Sequence, residues 1–319
     1  MFQSSSIVDV AVSVGMPVYN GGVEFRLALH DIRAQSHQNL EIVISDNCST
    51  DGTHEFCLEQ VAKDSRIRYI RQNKNIGGEA NVAFVLGEAS KAFFFWAAAD
   101  DRRSPNFVEE NLRFLVEHED YVASTCPIRF EDRDFDLEAM GDSELDMVPE
   151  RRILKVLHHW HTNGRFYSLY RVSALKDHFV SERYLGSDFA TTLAVATIGK
   201  YHRTENGWLI LGSAGTSMQQ ESFFASYRGN SLLLYFMPFY MLTKFAMKLT
   251  RPFSAAIRFR VFRRLLSWNR SAYHVQNNKH VERADPVAEA ARKKRRKRRA
   301  RIKAMFERLK GYFSEGDAH

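Results

Sequence analysis

The chain has 319 residues, of which 45% are hydrophobic and 13% aromatic, so a mostly disordered protein is excluded. The formal net charge of +7 is local, because residues 292–303 hold ten Lys or Arg and no acid, and the rest carries −3. We therefore expect no cationic domain that binds a specific nucleic acid.

The first half of the chain alternates strand-like and helix-like segments. Short apolar runs predict strands, each separated from the next by one helical pattern, at 10–14, 40–44, 67–70, 92–97 and 121–130. This alternation predicts an α/β fold with a mostly parallel sheet flanked by helices. Ligands bind beyond the carboxyl ends of such strands. We expect the polar clusters that follow the strands to share one rim: 17–22, 45–52, 73–81 and 98–105.

The pattern changes after residue 222. The apolar run Leu232 to Leu242 contains Pro238 and is followed by basic residues from Lys244 onward. It is too short to span a bilayer, which takes about 20 residues. Its composition is typical of an interfacial helix on an anionic membrane. The alternative is a core helix that packs on the α/β domain, and the sequence leaves both open.

Two acidic positions lie at the ends of apolar strands. Asp46 ends one strand in SDNCSTDGT, where it could accept a hydrogen bond from a ligand or simply support a turn and helix cap. Asp100 and Asp101 follow the very apolar FFFWAAA. They could hold a divalent metal with phosphate, or lie at an exposed helix entry with Arg102 and Arg103 as partners.

A further acid lies in the second half, and a nearby group of histidines does not indicate a metal site. Asp188 in YLGSDFA is either a helix cap or a general base delivered into the cleft. The histidines of 158–161 lack a clean pair at helical spacing with a third ligand. The three cysteines include no CxxC pair, and the N-terminus lacks a basic region followed by an apolar one. We therefore expect a cytoplasmic protein without zinc.

Taken together and in order, the motifs resemble the family 2 glycosyltransferases, whose fold is called GT-A. The resemblance is strong over residues 8–130 and continues more weakly to about 217. It is carried by four elements: Pro17-Val18-Tyr19-Asn20; the nonapeptide Ser45 to Thr53; Asn75-Ile76-Gly77 with Asn81; and Trp96 to Asp101 with Pro105.

The resemblance implies a role for each matching residue. Asp100 would ligate the metal, although Ala98 replaces the first acid of the usual Asp-x-Asp motif. Asp188 aligns with the catalytic base. The cofactors implied are a divalent metal, Mg²⁺ or Mn²⁺, and a nucleoside-diphosphate sugar as donor. Contacts to the nucleotide would come from Pro17, Tyr19, Asp46, Asn75, Gly77, Asn81 and Asp101.

The resemblance also implies a reaction and an organisation. A hexose or deoxyhexose would move with inversion to a hydroxyl of a glycan or lipid-linked glycan, in cell-surface polysaccharide or glycolipid synthesis. Residues 1–222 would form the GT-A domain, with a nucleotide half at 8–130 and an acceptor half at 131–222. Separately from the resemblance, the composition of the amphipathic segment at 223–270 and of the basic, partly disordered tail at 271–319 predicts peripheral attachment to the inner face of the cell membrane.

Two other classes of protein are weighed against this one. A sugar nucleotidyltransferase would carry a Gly-rich loop with basic residues after the first strand, whereas MPVYNGGVEF offers only Gly21 and Gly22 and no Lys. A non-enzymatic adaptor could use the run 292–303 to bind nucleic acid or membrane by charge. The missing loop makes the nucleotidyltransferase a poor second, and the slightly acidic, motif-bearing body favours an enzyme over the adaptor.

Overall fold

Apolar runs of the first half form five strands of a seven-stranded sheet, and the second half adds two. The computed structural model describes residues 7–130, 140–160, 162–212 and 220–277, without the side chains of 220–223. The basic run 292–303 lies outside the described residues. The strands are β1 Val12–Val18, β2 Leu40–Asp46, β3 Ile67–Arg71, β4 Phe93–Trp96, β5 Arg102–Arg103, β6 Tyr121–Thr125, β7 Ile128–Phe130, β8 Leu169–Arg171, β9 Lys200–Arg203 and β10 Leu209–Leu211.

Helices connect the strands and continue the chain after them. Most of the early helices follow a strand and lead into the next one, as the alternating pattern predicts. The helices are α1 Gly22–Arg33, α2 Thr53–Lys63, α3 Gly78–Glu88, α4 Phe107–Glu117, α5 Pro149–Val156, α6 Val172–Lys176, α7 Ser187–Ile198, α8 Gln220–Arg228, α9 Leu232–Phe236, α10 Tyr240–Leu249 and α11 Ala255–Asn277.

The large sheet is mostly parallel, which confirms the predicted fold class. Its strand order is β3-β2-β1-β4-β8-β6-β9, and β1, β2, β3 and β4 pair in parallel. Only β8 runs antiparallel to its neighbours β4 and β6. A smaller sheet has the order β5-β10-β7. Contacts group residues 1–276 into one compact unit and 277–319 into a second, of which only Asn277 is described.

Two apolar layers cover the large sheet, one on each face. Successive side chains of a strand point to opposite faces, and β4 accordingly gives Phe93 and Phe95 to one layer and Phe94 and Trp96 to the other. Gly15 lets α3 approach the centre of the sheet. A Cβ there would lie 2.7 Å from side-chain atoms of both Phe94 and Val85.

The predicted strand over 121–130 is two strands that belong to different sheets. β6 lies in the large sheet, and β7 pairs with β10 in the small one. Pro127 separates them because it has no N–H to donate to a ladder, and its carbonyl accepts from Leu209 N–H at 3.0 Å. The chain can therefore leave one sheet and enter the other within two residues.

The last two helices share the core of the α/β fold. Leu242 and Ala246 of α10 and Leu265 and Trp268 of α11 are buried in the same layer as α7. Buried Asn269 ties them together, because its Oδ1 accepts from Phe239 N–H at 2.8 Å. The second half of the apolar run 232–242 is thus core. Among the helices described, none is long and apolar enough to cross a membrane.

Candidate active site

The carboxyl ends of four parallel strands meet at one crevice. β1 is followed through α1 by β2 on one side, whereas β4 lies on the other side of β1. The strand order therefore reverses between β1 and β4, and such a switch point opens a ligand crevice at the carboxyl ends. The loops that follow β1, β2, β3 and β4 all reach this edge, as the sequence predicted.

The loops after β1 and β2 are locked together by hydrogen bonds. Asn20 N–H donates to Ser49 Oγ at 2.8 Å, and Thr50 N–H donates to Asn20 Oδ1 at 2.8 Å. Gly22 N–H donates to Asp51 Oδ2 at 3.0 Å. Tyr19 stands beside this junction with 51% of its surface exposed. A large exposed aromatic ring on a fixed loop is suited to contact a ligand in the crevice.

Asp46 is fully buried, and both of its oxygens already accept hydrogen bonds. Oδ1 accepts from Ser49 N–H and Oδ2 from the Tyr69 hydroxyl, each at 2.8 Å. Arg71 of β3 lies 3.9 Å from Oδ2 and donates to the Ser49 carbonyl. These contacts support the turn interpretation of Asp46, which holds the loop in shape. Its direct contact with a nucleotide stays a prediction.

The predicted residues Asn75, Gly77 and Asn81 brace the same loop from the other side. Asn75 Oδ1 accepts from Asn47 and from Gly77 N–H, both at 2.9 Å. Asn81 is buried and exchanges hydrogen bonds with Ser45, whose hydroxyl donates to Asn81 Oδ1 at 2.6 Å. Gly77 has φ +90°, which favours glycine there. Their protein contacts fix the loop, and a nucleotide contact remains a prediction for each.

Asp100 and Asp101 lie together beyond the end of β4, against Gly212. Asp101 Oδ1 accepts from Gly212 N–H at 3.1 Å, whereas its buried Oδ2 has no hydrogen-bond partner among the described residues. Burial raises the pKa of Asp101 to about 6, with Arg103 opposing this shift and Asp100 adding to it. An unpartnered buried carboxylate oxygen is costly in free energy. It is therefore suited to receive a cation or a hydroxyl.

The arginines after these acids have other partners as well. Arg102 forms an ion pair with Asp31 at 2.6 Å, and Arg103 donates to the Trp96 carbonyl at 2.7 Å. The described residues contain no group of three His, Cys, Asp or Glu that could hold a metal unaided. Mg²⁺ needs only one or two carboxylates when phosphate oxygens complete its shell. The pair Asp100 and Asp101 fits a metal that arrives with a diphosphate.

Asp188 stands in the first turn of α7, at the second half of the chain. It is half-buried, and its Oδ2 accepts from Asn163 Nδ2 at 3.1 Å. Burial raises the pKa of Asp188, and the Asn163 hydrogen bond opposes this. The residue at the N-cap of the helix is Gly186, with φ +86°, so the helix has no side-chain cap there. A carboxylate with a raised pKa is better matched to accept a proton near neutral pH.

Tyr167 connects the acids of the two halves, and sequence reasoning missed it. Burial raises its pKa most, followed by the charges of Asp101, Asp100 and Asp188 in that order. The turn that holds Tyr167 also contacts both halves, because Phe166 stacks on Trp96 of β4 with ring centroids 4.5 Å apart and Asn163 donates to Asp188 at 3.1 Å. The sequence RFYSLYR predicts a strand over 165–171 and gives this tyrosine no special role. The chain forms a 3₁₀ turn over Gly164–Tyr167 before β8 begins.

The fold and the crevice define an α/β protein with a candidate ligand site at a topological switch point. The family model of glycosyl transferase family 2 matches residues 13–179, more than half of the chain. The chain belongs to this family. The match ends before Asp188, so the predicted base lies outside it.

Curated relatives agree with this membership. A Streptococcus pneumoniae glycosyltransferase, GlyA, is 31% identical over 144 residues, which cover 44% of this chain and 20% of that protein. The GalNAc(5)-diNAcBac-PP-undecaprenol beta-1,3-glucosyltransferase of Campylobacter jejuni is 26% identical over 182 residues, 56% of this chain and 57% of that one. The chain thus spans between a fifth and about half of the length of the first relatives it matches.

Solved structures share the fold at low sequence identity. The S. aureus protein TarS 1–349 in complex with UDP-GlcNAc superposes with a TM-score of 0.62 at 14% identity, over 86% of this chain and 77% of that one. Mannosyltransferase PcManGT from Pyrobaculum calidifontis, in complex with GDP-Man and Mn²⁺, gives 0.55 at 14%, over 88% and 79%. At this identity the likeness establishes the fold, which is GT-A.

Proposed function

We propose that this chain is an inverting glycosyltransferase that moves a hexosyl or deoxyhexosyl group from a nucleoside-diphosphate sugar to a hydroxyl. The observation that carries the proposal is that the turn Gly164–Tyr167 joins the two halves: Phe166 stacks on Trp96 of β4 with ring centroids 4.5 Å apart, and Asn163 donates to Asp188 at 3.1 Å. Acids that follow β4 in the first half thereby share one crevice with an acid of α7 in the second. Such a crevice has a place for a leaving diphosphate and, opposite it, a place for a base.

The donor would bind along the rim formed by the loops after β1 to β4. Pro17 and Tyr19 would contact the nucleotide on the first loop, and the braced loop around Asp46 would enclose it. Asp100 would ligate a Mg²⁺ or Mn²⁺ ion that neutralises the diphosphate as it leaves. The unpartnered Oδ2 of Asp101 supports this assignment, because it can accept from a ribose hydroxyl or from a metal-bound water.

Asp188 would remove the proton of the acceptor hydroxyl. A hydroxyl is a weak nucleophile at neutral pH and gains reactivity from a carboxylate within hydrogen-bond reach. Asn163 and backbone N–H groups at the start of α7 hold the carboxylate in place. A carboxylate can accept about four hydrogen bonds, so it could still accept one from an acceptor hydroxyl. Attack from the face opposite the diphosphate forms the new C1–O bond as the old one breaks, so that the anomeric configuration inverts. The transition state has oxocarbenium character, as in glycoside hydrolysis.

The acceptor would be a glycan or a lipid-linked glycan of a cell-surface polysaccharide or glycolipid. The name of the Campylobacter jejuni relative says that it acts on an undecaprenol-diphosphate glycan, which supports this class of acceptor. A nucleotidyltransferase is less well supported, since the loop after β1 carries no Lys.

The test is release of nucleoside diphosphate from a panel of nucleotide sugars with Mn²⁺ or Mg²⁺. Asp188→Asn and Asp100→Ala should each lose most of the activity. Asp177→Asn is the matched control, because Asp177 is an exposed acid of the same half at the end of α6. If Asp177→Asn is inactive while Asp188→Asn retains full activity, the base has been assigned to the wrong residue.

We also propose that the segment 223–270 attaches the enzyme to the cytoplasmic face of an anionic membrane. Phe259, Phe262 and Leu266 of α11 are spaced so that they share one helix face, and they are 60%, 39% and 47% exposed. Tyr273 continues that face and stacks on Phe236 of α9. The chain has no acid between Ser222 and Val281, so this apolar face lies in a purely cationic segment.

Vesicle sedimentation tests the membrane proposal with full-length protein, because truncation at Ser222 would remove buried core helices. Phe259→Ser with Phe262→Ser should weaken binding to vesicles of phosphatidylcholine and phosphatidylglycerol by about tenfold or more. The matched control is Leu58→Ser with Val61→Ser, two exposed apolar residues of α2. Equal binding of all three proteins would refute the proposed face.

A further inference from the structure

A basic pocket lies apart from the crevice, between α5 and the first half of α11. Its volume is about 460 Å³, and five Lys or Arg side chains line it together with His158 and His159. No Asp or Glu is among its described lining residues. The five cationic side chains are Arg151, Lys155, Arg165, Arg260 and Arg264.

Two of these arginines are shielded from solvent: Arg165 is buried and Arg264 is half-buried. Arg165 is 3% exposed and donates from Nε to the Ser143 carbonyl at 2.9 Å. Arg264 Nη1 donates to the Leu154 carbonyl at 2.7 Å. Backbone carbonyls hold both guanidinium groups without neutralising their charge. Burial lowers the pKa of Arg165, and the charge of buried Asp142 opposes this, although Asp142 also pairs with Arg203 at 3.2 Å. One carboxylate is therefore shared between two arginines, and an anion in the pocket would add the negative charge that they lack.

The exposed side chains of Arg151 and Arg260 bring further positive charge to the mouth of the pocket. Arg260 and Arg264 stand one helical turn apart on α11, where like charges repel. Burial lowers the pKa of Arg264, and the charge of Arg260 lowers it further. No described carboxylate forms an ion pair with Arg151 or Arg260. A concave site lined by one sign of charge concentrates counter-ions of the other sign.

We infer that this pocket binds a phosphate or diphosphate group carried by the acceptor. Arginine forks match the oxygens of phosphate and bind them in pairs. Assigning the phosphate to the acceptor rests on the proposed transferase function. Arg165 lies two residues after Asn163, which holds Asp188, so one short segment joins the pocket to the predicted base. A phosphate bound there would orient an attached glycan toward the crevice.

The first experiment is calorimetric titration of the full chain with pyrophosphate in EDTA, which suppresses any metal-dependent diphosphate binding in the crevice. The variant Arg151→Gln with Arg260→Gln removes two exposed cations that have no described hydrogen bond, so the fold should be kept. We expect its affinity to fall by about tenfold or more. The control, Lys244→Gln with Lys248→Gln, removes two exposed cations of α10 outside the pocket and should bind as wild type.

Vesicles distinguish a lipid phosphate from a soluble one. Phosphatidylcholine vesicles containing phosphatidic acid present a phosphomonoester, and those containing phosphatidylglycerol present only a phosphodiester. If the pocket variant loses a preference for phosphatidic acid, the phosphate is lipid-borne. If only pyrophosphate binding changes, the phosphate belongs to a soluble acceptor.

Two outcomes would overturn the inference. One is unchanged pyrophosphate affinity in Arg151→Gln with Arg260→Gln, and the other is an equal loss in the Lys244 and Lys248 control. Release of nucleoside diphosphate from a donor without acceptor is measured in parallel. It depends on the crevice and not on the pocket, so that failure of the transferase proposal and failure of the pocket can be told apart.

Discussion

Substitution of Gly212 tests whether Asp100 and Asp101 must be held where the structure has them. A Cβ at Gly212 would lie 2.3 Å from the backbone oxygen of Asp100 and 2.7 Å from its Cβ and Cγ. The backbone of Asp100 cannot rotate away as a flexible side chain can. Gly212→Ala therefore forces the segments that contain Gly212 and Asp100 apart by roughly 1 Å, until the new Cβ is at an ordinary contact distance. The hydrogen bond from Gly212 N–H to Asp101 at 3.1 Å would stretch with them.

The expected effect has two parts. Overpacking of this kind costs about 1–3 kcal/mol of folding stability, and a displacement of about 1 Å in a catalytic constellation costs roughly 100-fold in rate. We therefore expect Gly212→Ala to fold with a lowered Tm and to lose about 100-fold in metal-dependent release of nucleoside diphosphate.

The control is another glycine with free space around it. Gly87 lies in α3, and a Cβ there would meet nothing within 4 Å. Gly87→Ala should raise stability by about 0.4–1 kcal/mol and leave activity unchanged. A Gly212→Ala enzyme with wild-type activity would refute the claim that the acids act from this position.

Three further predictions concern the acids of the crevice. Burial raises the pKa of Asp188, and only its carboxylate form accepts a proton, so kcat/KM should fall as pH decreases through that raised pKa. Asp188→Asn should lose about 10²–10⁴-fold in rate, and its pH–rate profile should lack this acidic limb. Asp46→Ala removes the acceptor of the Ser49 N–H and leaves the Tyr69 hydroxyl its contact with His54, so the free energy of unfolding in urea should fall by about 1.5–3 kcal/mol, more than in Tyr69→Phe. Calorimetry should also show a weaker nucleotide affinity. Equal stability of both variants would contradict the bracing role. Asp100→Ala should keep its Tm but lose the activation by Mn²⁺, and full wild-type activity in excess chelator would refute metal ligation.

The sequence was sufficient to predict the parallel strands β1 to β4 and the rim at which their loops meet. Apolar runs of four to seven residues, separated by single helical patterns, specify parallel strands, and parallel strands bring their following loops to one edge. The clusters after β1 and β2 therefore meet, and Asn20 and Ser49 are hydrogen-bonded. This part of the prediction depends on local periodicity, which the residues themselves display.

Contacts between distant segments could not be predicted in this way. Arg151 and Arg260 line one pocket although more than 100 positions separate them, and no local pattern reports such a meeting. Tyr167 was read as part of a strand because aromatic residues favour strands. Its position near Asp100 and Asp188 depends on the packing of the two halves. The apolar run 232–242 was ambiguous for the same reason, since burial depends on α7 and α11.

The central claim is that one crevice between β1 and β4 holds both the nucleotide and the metal. The most direct measurement is a crystal structure of the full chain with Mn²⁺ and the nucleoside diphosphate chosen by the donor screen, with anomalous scattering recorded at the manganese edge. We predict an anomalous peak within coordination distance of Asp100, with the diphosphate beside it and Asp188 facing it across the crevice. A peak or a nucleotide located elsewhere, such as in the pocket of Arg260 and Arg264, would contradict the account.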